Sequence, residues 1–468
     1  MDSIKGLFRP AKPEHHDPLE YAPLTEEPRE LEGSTDQEGE TFESDVPFSW
    51  FEYSVFAIIG VAMLWAWNMF LAAAPYFHSR FIADDWIREN FQSAILSVST
   101  FSNLAAMLIV TNIQRSANYP WRINTALVLN TTVFTLLTIS TSWFLDVSPG
   151  LYLAFLLLMV GCSACATGLF QNGAFAFAAS FGRPEYTQAI MAGQGVAGIL
   201  PPLAQMISVL IVPDGPPPPP PPPGQGPEKQ DIPVGTSAFI YFLTAVAVSA
   251  TALVFFVPLV RRHNHIIENR MVYEHMESSV HSIHEAEQLH RRQVSLWALF
   301  RKLHWLAAAV FMCFVVAMFF PVFTGKIFSV RGPGAGRLFQ PPAFIPLGFF
   351  FWNLGDLAGR MSTMLPFGTT HRPVLLFAFS IARLMFLPLY LLCNIRGQGA
   401  VVNSDLFYLL LVQFPYGLTN GWLGTSTMMA AGEWVDEGER EVTGGFMGLC
   451  LVSGLTVGSL LSFSAAGI

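Results

Sequence analysis

Long apolar stretches, separated by short polar segments, recur along the chain between residues 51 and 465. Each stretch holds about 20 predominantly apolar residues, the length that an α-helix needs to cross the hydrocarbon core of a bilayer. Because backbone groups in lipid must be hydrogen-bonded internally, helices are the predicted structure for all of them. The pattern predicts eleven spans, at approximately 51–74, 92–113, 123–144, 151–180, 186–212, 235–260, 303–326, 342–365, 373–393, 405–430 and 442–465.

The overall composition agrees with a polytopic membrane protein. Hydrophobic residues make up 52% of the 468 residues and charged residues only 13%, with a mean hydropathy of +0.43. Soluble globular proteins carry roughly 25% charged residues, so the composition argues against a soluble fold. We therefore predict an all-α membrane protein.

Residues 1–49 differ from the rest of the chain, because they are polar, acidic and rich in turn-forming residues. Such a segment cannot bury enough apolar surface to fold alone, so we predict a disordered acidic tail and expect no secretory signal peptide. The formal net charge of −9 owes much to this tail and says little about partners. A sorting or regulatory role is the alternative to a solvated leader.

The longest connection, 261–302, separates the first six spans from the last five and carries clustered arginines at both ends. The positive-inside rule places such a loop in the cytoplasm. Counting spans from it places the acidic tail in the cytoplasm as well, and the C-terminus on the lumenal or extracellular side. The predicted domains are a six-helix bundle at 50–260, this cytoplasmic linker and a five-helix bundle at 303–468. Transporters often use two such bundles that rock about a central site.

The loop at 213–234, between spans five and six, contains an unbroken proline run from Pro216 to Pro223. Proline runs adopt the extended polyproline II conformation, so we predict a stiff spacer on the outer side. A role as an SH3-type ligand is disfavoured, because domains that read such ligands are mostly cytosolic.

The sequence signals of an enzyme are missing from the predicted spans. No HExxH motif, GxSxG motif or pair of acids lies at depth, which argues against a membrane-embedded enzyme. Cys162 and Cys165 have CxxC spacing, but they lie in an apolar run without a nearby histidine. We interpret them as small helix-packing residues and expect neither a metal nor another cofactor.

Span eight contains the most unusual polar residues, in the stretch WNLGDLAGRM from Trp352 to Met361. Asp356 and Arg360 are four residues apart and share one helix face with Asn353. An ionisable residue within a span costs about 2.5–3.5 kcal/mol, so a paired or functional role is expected. A nearly neutral strip of amide, carboxylate and guanidinium can bind an uncharged, hydroxyl-rich solute. The alternative is an internal ion pair that locks helices or closes a gate, and the two roles can coexist.

Other polar side chains are scattered through the remaining spans. Arg383 in span nine is interpreted first as a packing residue bonded to a neighbouring carboxylate, and Trp67 in span one is suited to stack on a planar ligand. Amides on several different spans, together with the strip in span eight, favour a central polar cavity. Among those outside span eight are Asn68, Asn103, Gln171, Asn172 and Gln194.

Six motifs follow one another along nearly the whole predicted membrane region. They are WNMF in span one, MAGQGVAG in span five, FFFWNLGDLAGR in span eight, ARLMFLPLYLLCN in span nine, GLTNGWLGTSTMM in span ten and EREVTGGFMGLC at the start of the last span. One such motif alone is a weak signal, whereas their common order and spacing are specific. By these motifs the chain resembles the equilibrative nucleoside transporters, most of all their fungal and often vacuolar members.

This resemblance implies a major-facilitator-like fold of six plus five helices and facilitative transport of nucleosides, in some members also nucleobases, by alternating access. Gln171 would bond the base, whereas Asp356 and Arg360 would engage the ribose hydroxyls. The residues that match the family's substrate-binding positions are Trp67, Gln171, Phe349, Asn353, Asp356 and Arg360. Further candidates for cavity or gating residues are Asn68, Thr100, Asn103, Gln194 and Arg383.

The expected partners are purine and pyrimidine nucleosides and the lipid bilayer, with no nucleic acid, and the expected state is a monomer. The fungal resemblance favours a vacuolar, lysosome-like membrane, with the plasma membrane as the alternative. Span two departs from the family by being more polar at Thr100 and Asn103, which leaves the base preference open. Proton coupling is also open, because it depends on whether Asp356 or another acid titrates.

A rival interpretation keeps the architecture and changes the solute to a sugar or a drug. Ordinary major-facilitator transporters carry a D-R-x-G-R gate motif, and the segment from Asp356 to Arg360 has the same spacing. The following residues are mostly apolar up to about Gly368, which predicts roughly 12 Å of helix between Arg360 and the inner end. That depth favours a cavity residue over a latch in a loop.

Overall fold

The computed structural model describes residues 48–113, 118–143, 145–211, 232–277, 295–332, 334–365 and 372–462. Helices dominate this part of the chain, and it contains no strand beyond a single-residue bridge between Ile327 and Ile395. Three predicted segments lie wholly or largely outside the described residues, namely the acidic tail, the proline run and the middle of the linker.

The described residues form fourteen α-helices, joined mostly by short turns. Some of them begin at a side-chain cap, since the side chains of Asp84 and Asn118 accept hydrogen bonds from the first-turn amides of Ile87 (3.0 Å) and Trp121 (2.9 Å). The helices are α1 (Trp50–Ala72), α2 (Ala74–Arg80), α3 (Asp85–Asn112), α4 (Tyr119–Ser140), α5 (Pro149–Ser180), α6 (Pro184–Ile211), α7 (Ile232–Glu277), α8 (Leu296–Ala317), α9 (Phe319–Thr324), α10 (Pro341–Ser362), α11 (Pro373–Ala382), α12 (Phe386–Tyr390), α13 (Phe414–Ala430) and α14 (Arg440–Ser462).

Nine helical segments in the described part of the chain are long and apolar enough to cross a bilayer. They coincide with nine of the predicted spans, and α8–α9 and α11–α12 each count as one segment. The other two predicted spans are α10, which carries the charged pair, and α13, which has 17 residues after a π-helical turn. The structure therefore confirms the polytopic helical class, whereas the number of eleven spans stays a prediction.

Two helix ends differ from the sequence-based expectation. Helix α7 continues through residue 260 to Glu277, so the first part of the predicted linker is helical. Helix α10 ends at Ser362, only two residues after Arg360, so about 3 Å of helix separates them rather than 12 Å. The depth expected from the apolar residues after Arg360 was wrong, because the chain turns at Thr363 although it remains apolar. Arg360 thus lies in the last turn, where the helix dipole favours a cation.

Three spans change their helical geometry about four residues before a proline. Helix α8 ends four residues before Pro321, a 3₁₀ turn at Arg383–Met385 precedes Pro388, and the π-helical turn Phe407–Gln413 precedes Pro415. A proline ring collides with the carbonyl four residues earlier and removes one amide donor, so an ideal helix cannot run through these points. Spans seven, nine and ten are bent or widened for this reason.

Helices α10 and α13 cross at backbone contact through four glycines. A Cβ atom added to Gly417 or Gly421 would overlap the carbonyl oxygens of Trp352 and Asp356, respectively. Small residues allow such an approach, which matters in lipid because no hydrophobic force drives helices together there. The crossing brings the polar face of α10 against α13. The glycines on the α10 side are Gly355 and Gly359.

The first six long helices meet the later helices mainly through α6 against α10 and through α14 against α3 and α5. On α14 these contacts come from the first turns, where Gly444 and Gly448 face α5 and α3, whereas Gly454 faces α8. An apolar core that includes Tyr186 and Val310 fills the space between the two sets of helices. The two halves of the chain are thus joined at the end where α6 and α14 begin and α10 ends.

The glycine crossing leads to a stability prediction. Gly421→Ala should lower the free energy of unfolding by about 3 kcal/mol or more, because its methyl group has no room against the backbone of α10. The measurement is the thermal unfolding midpoint of the purified protein, with size-exclusion profiles to follow folding. Gly432→Ala is the matched control, since no atom lies within 4 Å of the added methyl group. Equal midpoints for the two variants would contradict the packing described.

Candidate substrate-binding site

Asp356 and Arg360 form a buried ion pair on one face of α10. The Nε atom of Arg360 donates to Oδ2 of Asp356 at 2.6 Å, and the residues are 6% and 3% exposed. A buried pair of this kind is tolerated only when further hydrogen bonds satisfy its remaining atoms. The structure supplies those bonds from two other helices, α13 and α6.

Asn420 on α13 holds the second oxygen of the carboxylate. Its Nδ2 donates to Oδ1 of Asp356 at 2.7 Å, while its Oδ1 lies 3.6 Å from the Cys313 sulfur on α8. The glycine crossing makes this bond possible, because Gly417 and Gly421 flank Asn420 on α13. Asn420 was not among the predicted site residues, although it is the asparagine of the motif GLTNGWLG.

Arg360 also joins α10 to α6. Its Nη1 donates to the main-chain oxygen of Met191 at 2.7 Å and to Oε1 of Gln194 at 3.3 Å. Gln188 donates through Nε2 to the main-chain oxygen of Arg360 at 3.1 Å, and it accepts from the Tyr53 hydroxyl on α1 at 2.7 Å. The ion pair is therefore the centre of a network that crosses from the later helices to the first six.

Three of these network residues, Tyr53, Gln188 and Met191, were missed by sequence reasoning. Gln188 lies six residues before Gln194, a spacing that does not place the two side chains on one helix face, so the periodicity that united the residues of span eight would not have found it. The contribution of Met191 comes from its main-chain oxygen, which no side-chain pattern reveals.

Three further predicted residues lie along the α6–α10 contact or next to it. Asn353 donates through Nδ2 to the main-chain oxygen of Phe349 at 2.8 Å, and its side chain fills the space beside Gly198 of α6. Asn68 on α1 donates to the main-chain oxygen of Ala197 at 2.8 Å. Phe349 packs edge-to-face on Phe320, with ring centroids 5.1 Å apart.

Gln171 and Asn103 lie elsewhere, at the contact of α5 with α3. Gln171 is 8% exposed, and the side-chain oxygens of both residues are buried without a hydrogen-bond partner among the described residues. Asn103 packs beside Gly168, one helical turn before Gln171. A buried amide oxygen without a donor costs about 1–3 kcal/mol, so this pair is an acceptor site that a donor would stabilise.

The remaining predicted residues are not brought to the ion pair. Trp67 is half-buried in the apolar cluster of the first helices, and Thr100 is half-buried on α3. Arg383 donates to the main-chain oxygen of Cys313 at 2.6 Å, and its guanidinium lies 5.1 Å from the ring centroid of Tyr416. Its expected partner was a carboxylate, but the hydrogen bond goes to a carbonyl group. Arg383 therefore reaches Asp356 only through Cys313 and Asn420.

No group of three histidine, cysteine or acidic side chains in the described segments is placed to hold a metal ion. All five cysteines are free, including Cys162 and Cys165.

Comparison with solved structures defines the class of the fold. The chain is similar to the major facilitator superfamily proton:xylose symporter XylE, with a TM-score of 0.53 and 12% sequence identity over 88% of this chain and 87% of the symporter. At this identity the likeness shows the fold alone. The protein therefore has a helical membrane fold like that of the major facilitator transporters.

Comparison with sequences defines the family. The family model described as nucleoside transporter matches residues 157–466, so the chain belongs to the nucleoside transporter family. It is 29% identical to the nucleoside transporter FUN26 of Saccharomyces cerevisiae, over 88% of this chain and 83% of FUN26. It is 23% identical to human equilibrative nucleoside transporter 2, over 87% of this chain and 95% of the human protein. The resemblance inferred from the six motifs is thereby confirmed, as is the prediction of a transporter rather than an enzyme.

The buried network leads to a prediction about coupling. Arg360→Met should lower the free energy of unfolding by about 3–5 kcal/mol, because it leaves the Asp356 carboxylate buried without its cation. Asp356→Asn combined with Arg360→Met should cost clearly less than the sum of the two single changes. Thermal unfolding of the four proteins in detergent measures this difference. Additive effects would show that the two side chains are not energetically coupled.

Proposed function

We propose that the protein carries nucleosides down their concentration gradient across a membrane by alternating access. Membership in the nucleoside transporter family supports this function. The buried Asp356–Arg360 ion pair is the structural observation on which the proposed substrate site rests. A nucleoside has no net charge, and the pair has none in sum. A neutral substrate in a neutral site feels no membrane potential, so its gradient alone drives the flux.

The charged pair would bind the sugar. Ribose hydroxyls can both donate and accept, so one can donate to the carboxylate of Asp356 while another accepts from Arg360. Hydrogen bonds to charged groups contribute about 1.5–3 kcal/mol each, enough to hold a small solute when two or three form together. Asn353 and Phe349, on the same helix, would complete the wall of this subsite.

The unpaired amide oxygens of Gln171 and Asn103 would bind the base. They are acceptors, and nucleobases present amino or imino donors along their edges, so the base would relieve the burial cost of these oxygens. Trp67 would lie against the base, as the family resemblance implies. Among the residues that the structure describes, Gln171 and Asn103 do not contact Asp356 or Arg360. The transport cycle would bring the two subsites to one cavity.

Arg360 would act in gating as well as in binding. In this structure its Nη1 is bonded to Met191, and the halves of the chain meet at the same end of the molecule. A sugar hydroxyl that takes over the Met191 contact would release α6 from α10 and allow the halves to separate there. Gln194 and Asn68 would take part as neighbours of this contact. Arg383 would support Asp356 through Asn420.

The proposal includes the predicted topology. The chain would cross the membrane eleven times as bundles of six and five helices, with the acidic tail in the cytoplasm and the C-terminus outside or in a lumen. The contact end of the molecule would then face the cytoplasm. We further propose a monomer, with a vacuolar membrane favoured over the plasma membrane.

Uptake into proteoliposomes tests the function and the role of the pair. Radiolabelled adenosine and uridine should enter, and unlabelled nucleosides should compete where hexoses do not. Arg360→Ala should reduce uptake at least about tenfold, a loss of about 1.4 kcal/mol or more of binding free energy. Arg301→Ala, an exposed arginine at the start of α8, is the matched control and should transport normally. Competition by a hexose alone, or full activity of Arg360→Ala, would refute the proposal.

The base subsite has a test of its own. Gln171→Leu should change the ratio of adenosine to uridine uptake several-fold, because an acceptor for the base is lost while the sugar contacts remain. The same variant should respond to removal of the ribose 2′-hydroxyl as the wild type does. An unchanged base ratio would place base recognition outside Gln171.

A further inference from the structure

Trp352 lies in the same row of side chains on α10 as the buried ion pair. Trp352, Asp356 and Arg360 follow one another at intervals of four residues, so their side chains lie along one ridge of the helix. The indole is thus one turn of helix from Asp356, about 6 Å along the axis, on the side away from Arg360. It is 8% exposed and belongs to the apolar cluster that also contains Phe320 and Tyr416.

Aromatic neighbours fix the orientation of this indole. The Phe320 ring stacks on it with ring centroids 4.0 Å apart and an angle of 6° between the planes, and Tyr416 of α13 packs against it edge-to-face at 6.3 Å. Phe320 also packs against Phe349, so the indole extends the aromatic wall of the proposed sugar subsite. The ring of Trp352 therefore has a fixed plane one turn from the ion pair.

The indole N–H of Trp352 is a buried donor without a partner. Its Nε1 atom has no hydrogen-bond acceptor among the residues that the structure describes. An indole N–H can only donate, and a buried tryptophan usually finds an acceptor, because an unpaired buried donor costs free energy. The stack on Phe320 does not require this donor, since a phenyl ring can stack in the same way. The acceptor is thus expected from a ligand.

We propose that Trp352 donates its indole N–H to the 5′-hydroxyl oxygen of the nucleoside and makes the site selective for that hydroxyl. This inference rests on the proposed function, in which the Asp356–Arg360 pair binds ribose hydroxyls. The 2′- and 3′-hydroxyls lie on neighbouring carbons of the ring and suit the two neighbouring charged groups. The 5′-hydroxyl extends beyond the far edge of the ring, and the indole N–H is the next polar side-chain group along the ridge.

The bond from Trp352 differs in strength from those of the ion pair. Hydrogen bonds to charged groups are stronger than those between neutral groups, so loss of the 5′-hydroxyl should weaken binding without abolishing it. In the present arrangement Nε1 is enclosed, as is the ion pair. The movement that admits the nucleoside to Asp356 would also expose the indole N–H.

Trp352→Phe removes the donor and keeps an aromatic ring for the stack. The measurement is the inhibition constant of adenosine, 5′-deoxyadenosine and 2′-deoxyadenosine against radiolabelled uridine uptake into proteoliposomes. The variant should bind adenosine and 2′-deoxyadenosine about fivefold more weakly than the wild type, the factor expected for one neutral hydrogen bond. It should bind 5′-deoxyadenosine as the wild type does, because that ligand has no partner for the lost N–H. Trp297→Phe is the matched control, since Trp297 is 68% exposed at the start of α8, and it should leave all three constants unchanged.

The thermal unfolding midpoint without nucleoside separates this role from packing. Trp352→Phe should unfold at the same temperature as the wild type or higher, because a buried unpaired donor has been removed. Equal weakening of adenosine and 5′-deoxyadenosine, or no weakening of either, would overturn the inference while nucleoside uptake by the wild type still supports the proposed function. If the variant does not fold, the wild type decides: about fivefold weaker inhibition by 5′-deoxyadenosine than by adenosine supports the inference, and equal inhibition overturns it. A wild type that takes up no nucleoside refutes the proposed function and this inference together.

Discussion

A guanidinium buried between membrane helices is costly unless hydrogen bonds within the protein satisfy its donors, and much of the arrangement around Arg360 follows from that cost. Asp356 supplies the countercharge from the same helix, and Asn420 holds that carboxylate from α13. Met191 supplies a main-chain oxygen from α6. For these groups to reach one another, the backbone of α10 must contact the backbone of α13 and lie close to α6. Glycines are found at both contacts, and Gly195 of α6 lies beside the Arg360 side chain. The buried charge and the small residues are thus two parts of one constraint.

Sequence periodicity predicted the spans and the shared face of Asp356 and Arg360, because both depend on local helical spacing. It did not predict where α10 ends, since the residues beyond Ser362 remain apolar while the backbone turns. It did not find the partners of the pair either. The acceptor on α6 is a main-chain oxygen without a residue signature, and the role of Asn420 depends on a helix crossing that no single helix encodes. Tertiary contacts of this kind lie beyond any one-dimensional pattern.

A facilitator must release its substrate as readily as it binds it, so the contacts it exchanges should be nearly equal in free energy. The bond from Arg360 to Met191 is charge-assisted, and a ribose hydroxyl on the same donor would form a bond of the same type, worth about 1.5–3 kcal/mol in either case. In the proposed cycle, exchanging one for the other would leave a small net change, so neither the closed nor the occupied state would be a trap. A ligand shifts a conformational equilibrium only by its differential affinity for the two states. In the proposed cycle the Met191 contact would supply this difference, because it would be made in one arrangement only and would compete for the donor that the sugar needs.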